Sequence, residues 1–360
     1  MSPILLAGAT LNQTPLDWEG NLNNIIQAIS QAKEKKVELL CFPELSITGY
    51  GSEDLFLSYW YPKKALDSIR KILPHTQGIT VLVGLPCRIN SKVYNCMAVL
   101  ENEKVLGFVA KQFLAIDGVH YEARWFTPWK AGEVISIEWF DEEYPFGDII
   151  FEKNGHKYGF EICEDAWSGG LRPGHSLKKR GVDIIFNPSA SHFAMGKSEL
   201  REQLVKESST AFGVAYVYAN LLGNESGRMI FDGEILYSDK GKVFVKNKLL
   251  SFQSFQLLTF NYPVQEAKPL RLTHDAQTKN EEFLAASTLA LFDYLRKSRS
   301  RGFVLSLSGG ADSSSIAILV ADMVKKGVEM LGVPLFLKKI HRDTDISPTS
   351  SIEEITGEIF

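Results

Sequence analysis

Three residues with the chemistry to open an amide stand at comparable places along the chain. Cys163, in "KYGFEICEDAW", is a thiol; Lys111, in "VLGFVAKQF", is a cation; Glu44, in "VELLCFPEL", is a carboxylate. Cys163 lies among Glu161, Glu164 and Asp165, and negative neighbours oppose thiolate formation. A free thiol, with a pKa of about 8.5, is only a few per cent ionised at neutral pH. A cysteine in acidic surroundings therefore needs a carboxylate to take its proton and a cation to offset the charge that develops. Glu44 and Lys111 are suited to those roles. As a tetrahedral intermediate formed, the Lys111 ammonium and a backbone N–H beside Cys163 would stabilise its oxyanion, by roughly 3 kcal/mol for each well-placed donor. The chemistry is acyl transfer from an amide through a thioester.

Apolar strands are the elements that must bring these residues together. Glu44 follows "VELLCF", Lys111 ends "VLGFVA" and Cys163 ends "YGFEI". In α/β sheets ligands gather at the carboxyl ends of strands, so one cleft can hold all three. "ILLAGATL" predicts a strand, and "LNNIIQAISQAKEKK" predicts a helix from Leu22, Ile25, Ile26, Ile29 and Ala32, with Asp17 as its N-cap. With "VELLCF" they make a βαβ unit. Further strands read from "ITVLVGLP", "NCMAVLENEKVLGFVA", "DIIFEKNGHKYGFEI", "VDIIFNP", "VAYVYANL" and "GEILYSDKGKVFVK", with turns at Glu101–Lys104, Asn154–Gly155 and Asp239–Gly241. This order predicts an α/β sandwich. "VELLCFPELSITG" and "VDIIFNPSASHF" are each an apolar strand that ends at a proline and opens into a polar loop, the pattern of an internal pseudo-repeat.

The chain has 360 residues, 45% of them hydrophobic and 23% charged, with net charge −4. That length allows about two domains. No basic run interleaved with aromatics offers a nucleic-acid face, which leaves small-molecule substrates. The first residues carry no signal-peptide pattern, and no uncharged apolar run approaches the length of a membrane span, so a cytoplasmic protein is expected. The four cysteines include no C-x-x-C pair and the seven histidines no H-x-x-x-H, so neither a disulfide framework nor a zinc site is signalled. Cys41, Cys87 and Cys96 lie in strand-like runs and read as small buried hydrophobes.

"CFPELSITGY", "AKQFLAIDGVHYEARWFTPW" and "GFEICEDAW" resemble the three signatures of the nitrilase or carbon–nitrogen hydrolase superfamily. The resemblance implies a four-layer αββα sandwich and a catalytic Glu44, Lys111 and Cys163. It further implies that Glu122 supports the set, and that Glu164, Trp167, Ser191 and Lys197 contact the amino-acid end of a glutamine substrate. Where that family commonly has Leu-Pro-Asn-Tyr after the lysine, this chain has Leu114-Ala115-Ile116-Asp117.

Residues 262–279, "YPVQEAKPLRLTHDAQTK", are polar, carry two prolines and read as a linker between a first domain, 1–261, and a second segment, 280–360. In the second segment "LSLSGGADSSS" reads as a buried strand, a Gly-rich turn and a helix start. Backbone N–H groups at a helix N-terminus, together with the Ser308, Ser313 and Ser314 hydroxyls, can hold a pyrophosphate, and Gly309 and Gly310 let the backbone approach it. No G-K-[ST] follows, so it is not a Walker A loop. The string resembles the S-G-G-x-D-S motif of the N-type ATP pyrophosphatases, and that likeness implies a parallel-sheet α/β domain, ATP as co-substrate, and Mg²⁺ held with the help of Asp312.

A nitrilase-like domain joined to such a loop resembles the glutamine-dependent NAD⁺ synthetase family. The family resemblance implies glutamine, deamido-NAD⁺ and ATP as substrates, no organic prosthetic group, and a homo-oligomer with an internal ammonia path. The 81 residues from Asn280 onward are few for an independent α/β domain, so the chain by itself is expected to bind nucleotide poorly and not to complete NAD⁺ formation. Two other readings stay open: a free-standing nitrilase-family amidase, and a non-enzymatic oligomerisation module.

Overall fold

The computed structural model describes residues 2–264, 268–270 and 279–360. Most of the expected linker, 265–267 and 271–278, lies outside the described residues. The chain opens with β1 (Ile4–Leu11), α1 (Trp18–Glu34), β2 (Leu39–Cys41), α2 (Trp60–Ile72), β3 (Thr80–Ile89), β4 (Lys92–Glu101) and β5 (Lys104–Ala110). It continues through α3 (Glu122–Trp125), β6 (Val134–Trp139), β7 (Glu142–Gly147), β8 (Phe151–Lys153), β9 (His156–Phe160), α4 (Gly174–Lys179), β10 (Ile184–Ser189) and α5 (Lys197–Phe212). Then come β11 (Ala215–Asn220), β12 (Leu222–Asn224), β13 (Ile230–Asp232), β14 (Ile235–Asp239), β15 (Lys242–Lys246) and β16 (Phe255–Tyr262). The second segment holds α6 (Lys279–Ser298), α7 (Ala311–Leu331), α8 (Val333–Lys339) and α9 (Ile352–Ile359).

The strands form two large sheets, ordered β16-β1-β2-β3-β4-β5-β7-β6 and β15-β14-β11-β10-β9-β8, and β12 and β13 form a small ribbon. The period of two along each strand divides its side chains between two cores. In β10, Ile184 and Phe186 face the opposite sheet while Ile185 faces the outer helices; in β4, Met97 and Val99 face inward while Cys96, Ala98 and Leu100 face outward. Helices α1 and α2 cover the outer face of the first sheet, and α4 and α5 cover that of the second. The result is the expected αββα sandwich. The Asp17 carboxylate caps α1 by accepting from Gly20 N at 3.0 Å. Cys41, Cys87 and Cys96 are buried and free, as their apolar settings imply.

The pseudo-repeat has a structural counterpart. β2 lies parallel between β1 and β3 in one sheet, and β10 lies parallel between β9 and β11 in the other. Their polar loops emerge side by side, close enough for Ala190 N to donate to Glu44 Oε2 at 2.9 Å.

The second segment differs from the sequence expectation in one respect. Residues 303–308, whose apolar run predicts a buried strand, form none: Val304 is fully exposed and Leu307 about two-thirds exposed. A strand is stable only where a neighbour accepts its backbone hydrogen bonds, and no strand among the described residues lies beside this run. The parallel sheet implied for this segment is therefore absent among the described residues, where it consists of helices. These pack on the first segment around a shared core. Phe292 of α6 lies 4.7 Å from Phe252 and 5.8 Å from Phe336, measured between ring centroids, and Leu222 and Leu250 close the cluster.

Candidate active site

Glu44 sits in the loop after β2, and that loop crosses directly over β3 at Gly84. A Cβ at Gly84 would lie 2.3 Å from Leu45 N and 2.7 Å from Pro43 O, so only glycine permits the crossing. Gly84 also holds the loop by donating to Ser46 Oγ at 3.0 Å and accepting from Ile47 N at 3.0 Å. Lys111 leaves the end of β5 and is tied to β4 through Lys111 N to Asn95 O at 2.9 Å. The Asn95 amide in turn donates to Glu44 Oε1 at 2.7 Å.

The Lys111 ammonium lies between two carboxylates, 2.6 Å from Glu44 Oε1 and 2.8 Å from Glu122 Oε2, and all three side chains are fully buried. Glu122, at the start of α3, is held further by Ala115 N to Oε2 at 2.9 Å and by Tyr50 Oη to Oε1 at 2.8 Å. Burial works against the Lys111 charge, but Glu122 and Glu44 outweigh it and hold the ammonium well above its usual range. Burial pushes the Glu44 carboxyl up, Lys111 opposes it, and Glu122 adds to it. A carboxylate raised in this way is a better general base.

Cys163 follows β9 with φ of 47°, a left-handed conformation that is unfavourable for a side-chain-bearing residue. The sharp turn places the thiol at the end of the sheet, where Glu44, Lys111 and Glu122 all act on it. Burial pushes the thiol well above its usual range, Glu44 raises it further, and Lys111 and the Ala190 backbone oppose them. The sulfur is thus held as a thiol until its proton is removed.

The acidic neighbours of Cys163 are accounted for one by one. Glu161 is buried and neutralised by Arg172 at 2.5 Å, and it also accepts from Gly174 N at 2.7 Å and Tyr216 Oη at 2.7 Å. Asp165 accepts from Gln112 N at 3.0 Å, Phe113 N at 2.7 Å and Ile162 N at 2.9 Å, fastening the cysteine turn to the loop after Lys111. Glu164 alone turns toward the open side; it is half-buried, its carboxyl raised by burial and lowered by Lys111 and Lys197. Two of the three carboxylates therefore serve the fold.

Of the residues expected at the substrate's amino-acid end, Lys197 begins α5 with its Nζ 3.3 Å from the ring nitrogens of His192, within electrostatic reach of Cys163 and Asp117. Trp167 is 40% exposed, at the rim. Ser191 is buried and committed elsewhere: its N donates to Asn220 Oδ1 at 2.8 Å and its Oγ accepts from Arg201 at 3.1 Å. Arg201, fully buried against Asp232 and Glu234, also donates to His192 O at 3.1 Å and so positions this wall.

Several contributors carry no sequence signal. Tyr50 links Glu122 to His120 at 2.9 Å, and His120 meets His192 at 2.9 Å, a chain that runs from the buried carboxylate to the Lys197 wall. Because the Tyr50 proton is given to Glu122, its oxygen accepts from His120 Nδ1–H, and His120 Nε2 accepts from His192. Glu225 accepts from Tyr50 N at 3.0 Å and from Gly51 N. Asp293 of α6 lies one step further away, accepting from Asn224 N at 2.7 Å and from Asn12 Nδ2 at 3.0 Å, against a Gly223 whose Cβ would meet Asp293 at 2.2 Å. A sequence offers no means of pairing residues this far apart.

The Gly-rich loop is a separate place. Gly309 has φ of 82° and open space around it, and Gly310 caps α7. Ser313 Oγ and Ser314 Oγ donate to Gly310 O at 3.2 and 2.9 Å, and Ser308 Oγ lies 3.3 Å from Ser313 Oγ. Asp312 is exposed in the first turn of α7.

The chain is thus an αββα sandwich that holds a buried glutamate–lysine–glutamate set beside a cysteine on a strained turn. Residues 5–252 match the family model for carbon-nitrogen hydrolase, and the chain belongs to that family. Residues 283–354 match the NAD synthase model. A glutamine-dependent NAD(+) synthetase from Cytophaga hutchinsonii, solved by crystallography, is 47% identical with a TM-score of 0.89, over 99% of this chain and 58% of that one. A glutamine-dependent NAD(+) synthetase of Bos taurus is 30% identical over 89% of this chain and 52% of that protein. The amidase of Nesterenkonia sp., 20% identical with a TM-score of 0.59, covers 72% of this chain and 90% of that one and shares the fold. The chain spans about half the length of the curated relatives it matches.

Proposed function

We propose that this chain hydrolyses glutamine through a Cys163 thioester and supplies the ammonia for ATP-dependent amidation of deamido-NAD⁺ to NAD⁺. The observation that carries the reading is the buried Glu44–Lys111–Glu122 set meeting Cys163. In this mechanism Glu44 takes the sulfur proton as the sulfur attacks the amide carbon, and the oxyanion is stabilised by the Lys111 ammonium and a backbone N–H. The C–N bond then breaks and Glu44 returns the proton to nitrogen, so ammonia leaves neutral. Water next attacks the thioester, giving its proton to Glu44, which passes it to the departing sulfur. Glu122 and Tyr50 keep Lys111 aimed. Glu164 and Lys197 present opposite charges suited to the substrate's ammonium and carboxylate, Trp167 forms one wall, and Ser191, tied to Asn220 and Arg201, supports the wall that carries His192 and Lys197.

The amidation half of the reading rests on Ser308, Gly309, Gly310, Ser313 and Ser314 as the ATP phosphate cradle. Among the described residues no three His, Cys, Asp or Glu side chains form a metal cluster. A magnesium ion at this loop would thus be held by Asp312 together with the phosphate oxygens it neutralises. Subunit association and a cytoplasmic setting belong to the same reading; among the described residues no helix is long and apolar enough to cross a membrane.

The test is glutamate release from glutamine by this chain beside Cys163→Ala, without nucleotide. Release by the parent and none by the variant supports the glutaminase. Hydrolysis of simple amides with glutamine untouched favours a free-standing amidase instead.

A further inference from the structure

A cleft of about 1100 Å³ opens where α1 and β16 face α6, α7 and α8. One wall is the polar face of α1, with Asn24, Gln27 and Gln31 one turn apart. The other carries Arg296 and Arg299 at the end of α6 and Lys338 and Lys339 at the end of α8. Among the described residues the one carboxylate on the lining is Asp17, which is committed to the α1 cap. Asp293, below the floor, pairs with Arg296 at 2.6 Å. Lys339 donates to Ser254 Oγ at 2.6 Å, and neither it nor Arg299 nor Lys338 has a carboxylate partner among the described residues.

This convergence is unusual in a chain of net charge −4. Like charges gathered in a partly desolvated cleft repel one another unless an anion joins them. Burial, with Arg296 adding to it, pushes Lys339 down to about 8. Amide side chains opposite a row of cations can bond the polar remainder of a ligand whose anionic groups meet the arginines and lysines.

We propose that this cleft is a binding site for a phosphate-bearing anion, with its phosphates on Arg296, Arg299, Lys338 and Lys339 and its remaining groups against the amides of α1. The site is distinct from the Gly-rich loop. Met330 and Leu331, at the C-terminal end of α7, line the cleft, whereas the loop caps the N-terminal end, about 30 Å away for a helix of this length.

Inorganic pyrophosphate is the simplest probe, titrated calorimetrically into the 360-residue chain at low ionic strength. Saturable binding is expected, weakened at least about tenfold in an Arg299→Glu/Lys338→Glu double variant. Both arginine and lysine are exposed, so the double variant should fold, which its thermal unfolding checks. The proposal is overturned if pyrophosphate does not bind at millimolar concentration or if the double variant binds like the parent, as it would were the anion held at the Gly-rich loop. It is also overturned if the double variant changes only the sedimentation of the chain, since the cleft would then be a contact between copies. Tighter binding of ADP or NAD⁺ than of pyrophosphate supports the role of the amide wall and identifies a nucleotide; equal binding removes that part and leaves free phosphates as the ligand.

Discussion

Replacing Glu122 by glutamine is the sharpest test of how the buried set works, because it changes charge and almost nothing of shape. In the parent, Oε1 accepts from Tyr50 Oη, Oε2 accepts from Ala115 N, and the Lys111 ammonium lies within 2.9 Å of both oxygens. Every partner is a donor, so the glutamine NH₂ must meet one of them whichever way it turns. A buried donor left without an acceptor costs about 1–3 kcal/mol, and exchanging a charged for a neutral acceptor on Lys111 about 1 kcal/mol more. If Lys111 relieves that mismatch by moving off the oxyanion, a loss of about 2–4 kcal/mol of transition-state stabilisation is expected, roughly 30- to 1000-fold in kcat/KM. Glu122 also raises the Glu44 carboxyl, so its neutralisation lowers Glu44 and moves the acid limb of the rate profile to lower pH. The assay is glutamate release against pH, with alkylation of Cys163 by iodoacetamide as a readout that does not depend on the substrate. A Glu122→Gln chain that keeps the parental rate and acid limb refutes the argument that Glu122 aims Lys111 and tunes Glu44.

Gly84→Ala should displace the Glu44 loop, since its Cβ falls on Leu45 N, and glutaminase activity measured in the still-folded fraction should drop at least about tenfold. Asp293→Ala leaves Arg296 and the buried Lys297 without their carboxylate; a cost of about 3–5 kcal/mol is expected, seen as a lower denaturant midpoint. Burial and then His192 push His120 down to about 4, below the roughly 6.5 of an unfolded histidine. The unfolded chain therefore binds the extra proton first, and the stability His120 contributes is complete above pH about 6.5 and is lost as pH falls toward 4. Urea unfolding at pH 7 and pH 5 should accordingly show a smaller difference for His120→Asn than for the parent.

That Glu44, Lys111 and Cys163 stand at strand ends was legible because each follows a short apolar run, and such runs between polar or turn residues announce buried strands. The helical spacing of α1 and its Asp17 cap were legible for the same local reason. What the local pattern could not carry is pairing across distance. Nothing in "GYGSEDL" marks Tyr50 as the donor to Glu122, and nothing in "NLLGNES" marks Glu225 as the acceptor that holds Tyr50 in place. The acidic setting of Cys163, which in the sequence reads as a single electrostatic problem, separates in three dimensions: Arg172 neutralises Glu161, backbone N–H groups bind Asp165, and only Glu164 faces outward. Local pattern also misled at residues 303–308, where an apolar run met no partner strand among the described residues and remained irregular. The type and order of the reactive groups were thus written in the chain itself, since period, caps and turns act between near neighbours. Their charge states, and the cleft between α1 and the helices that follow residue 279, were decided only when folding brought distant side chains within hydrogen-bonding reach and excluded water from between them.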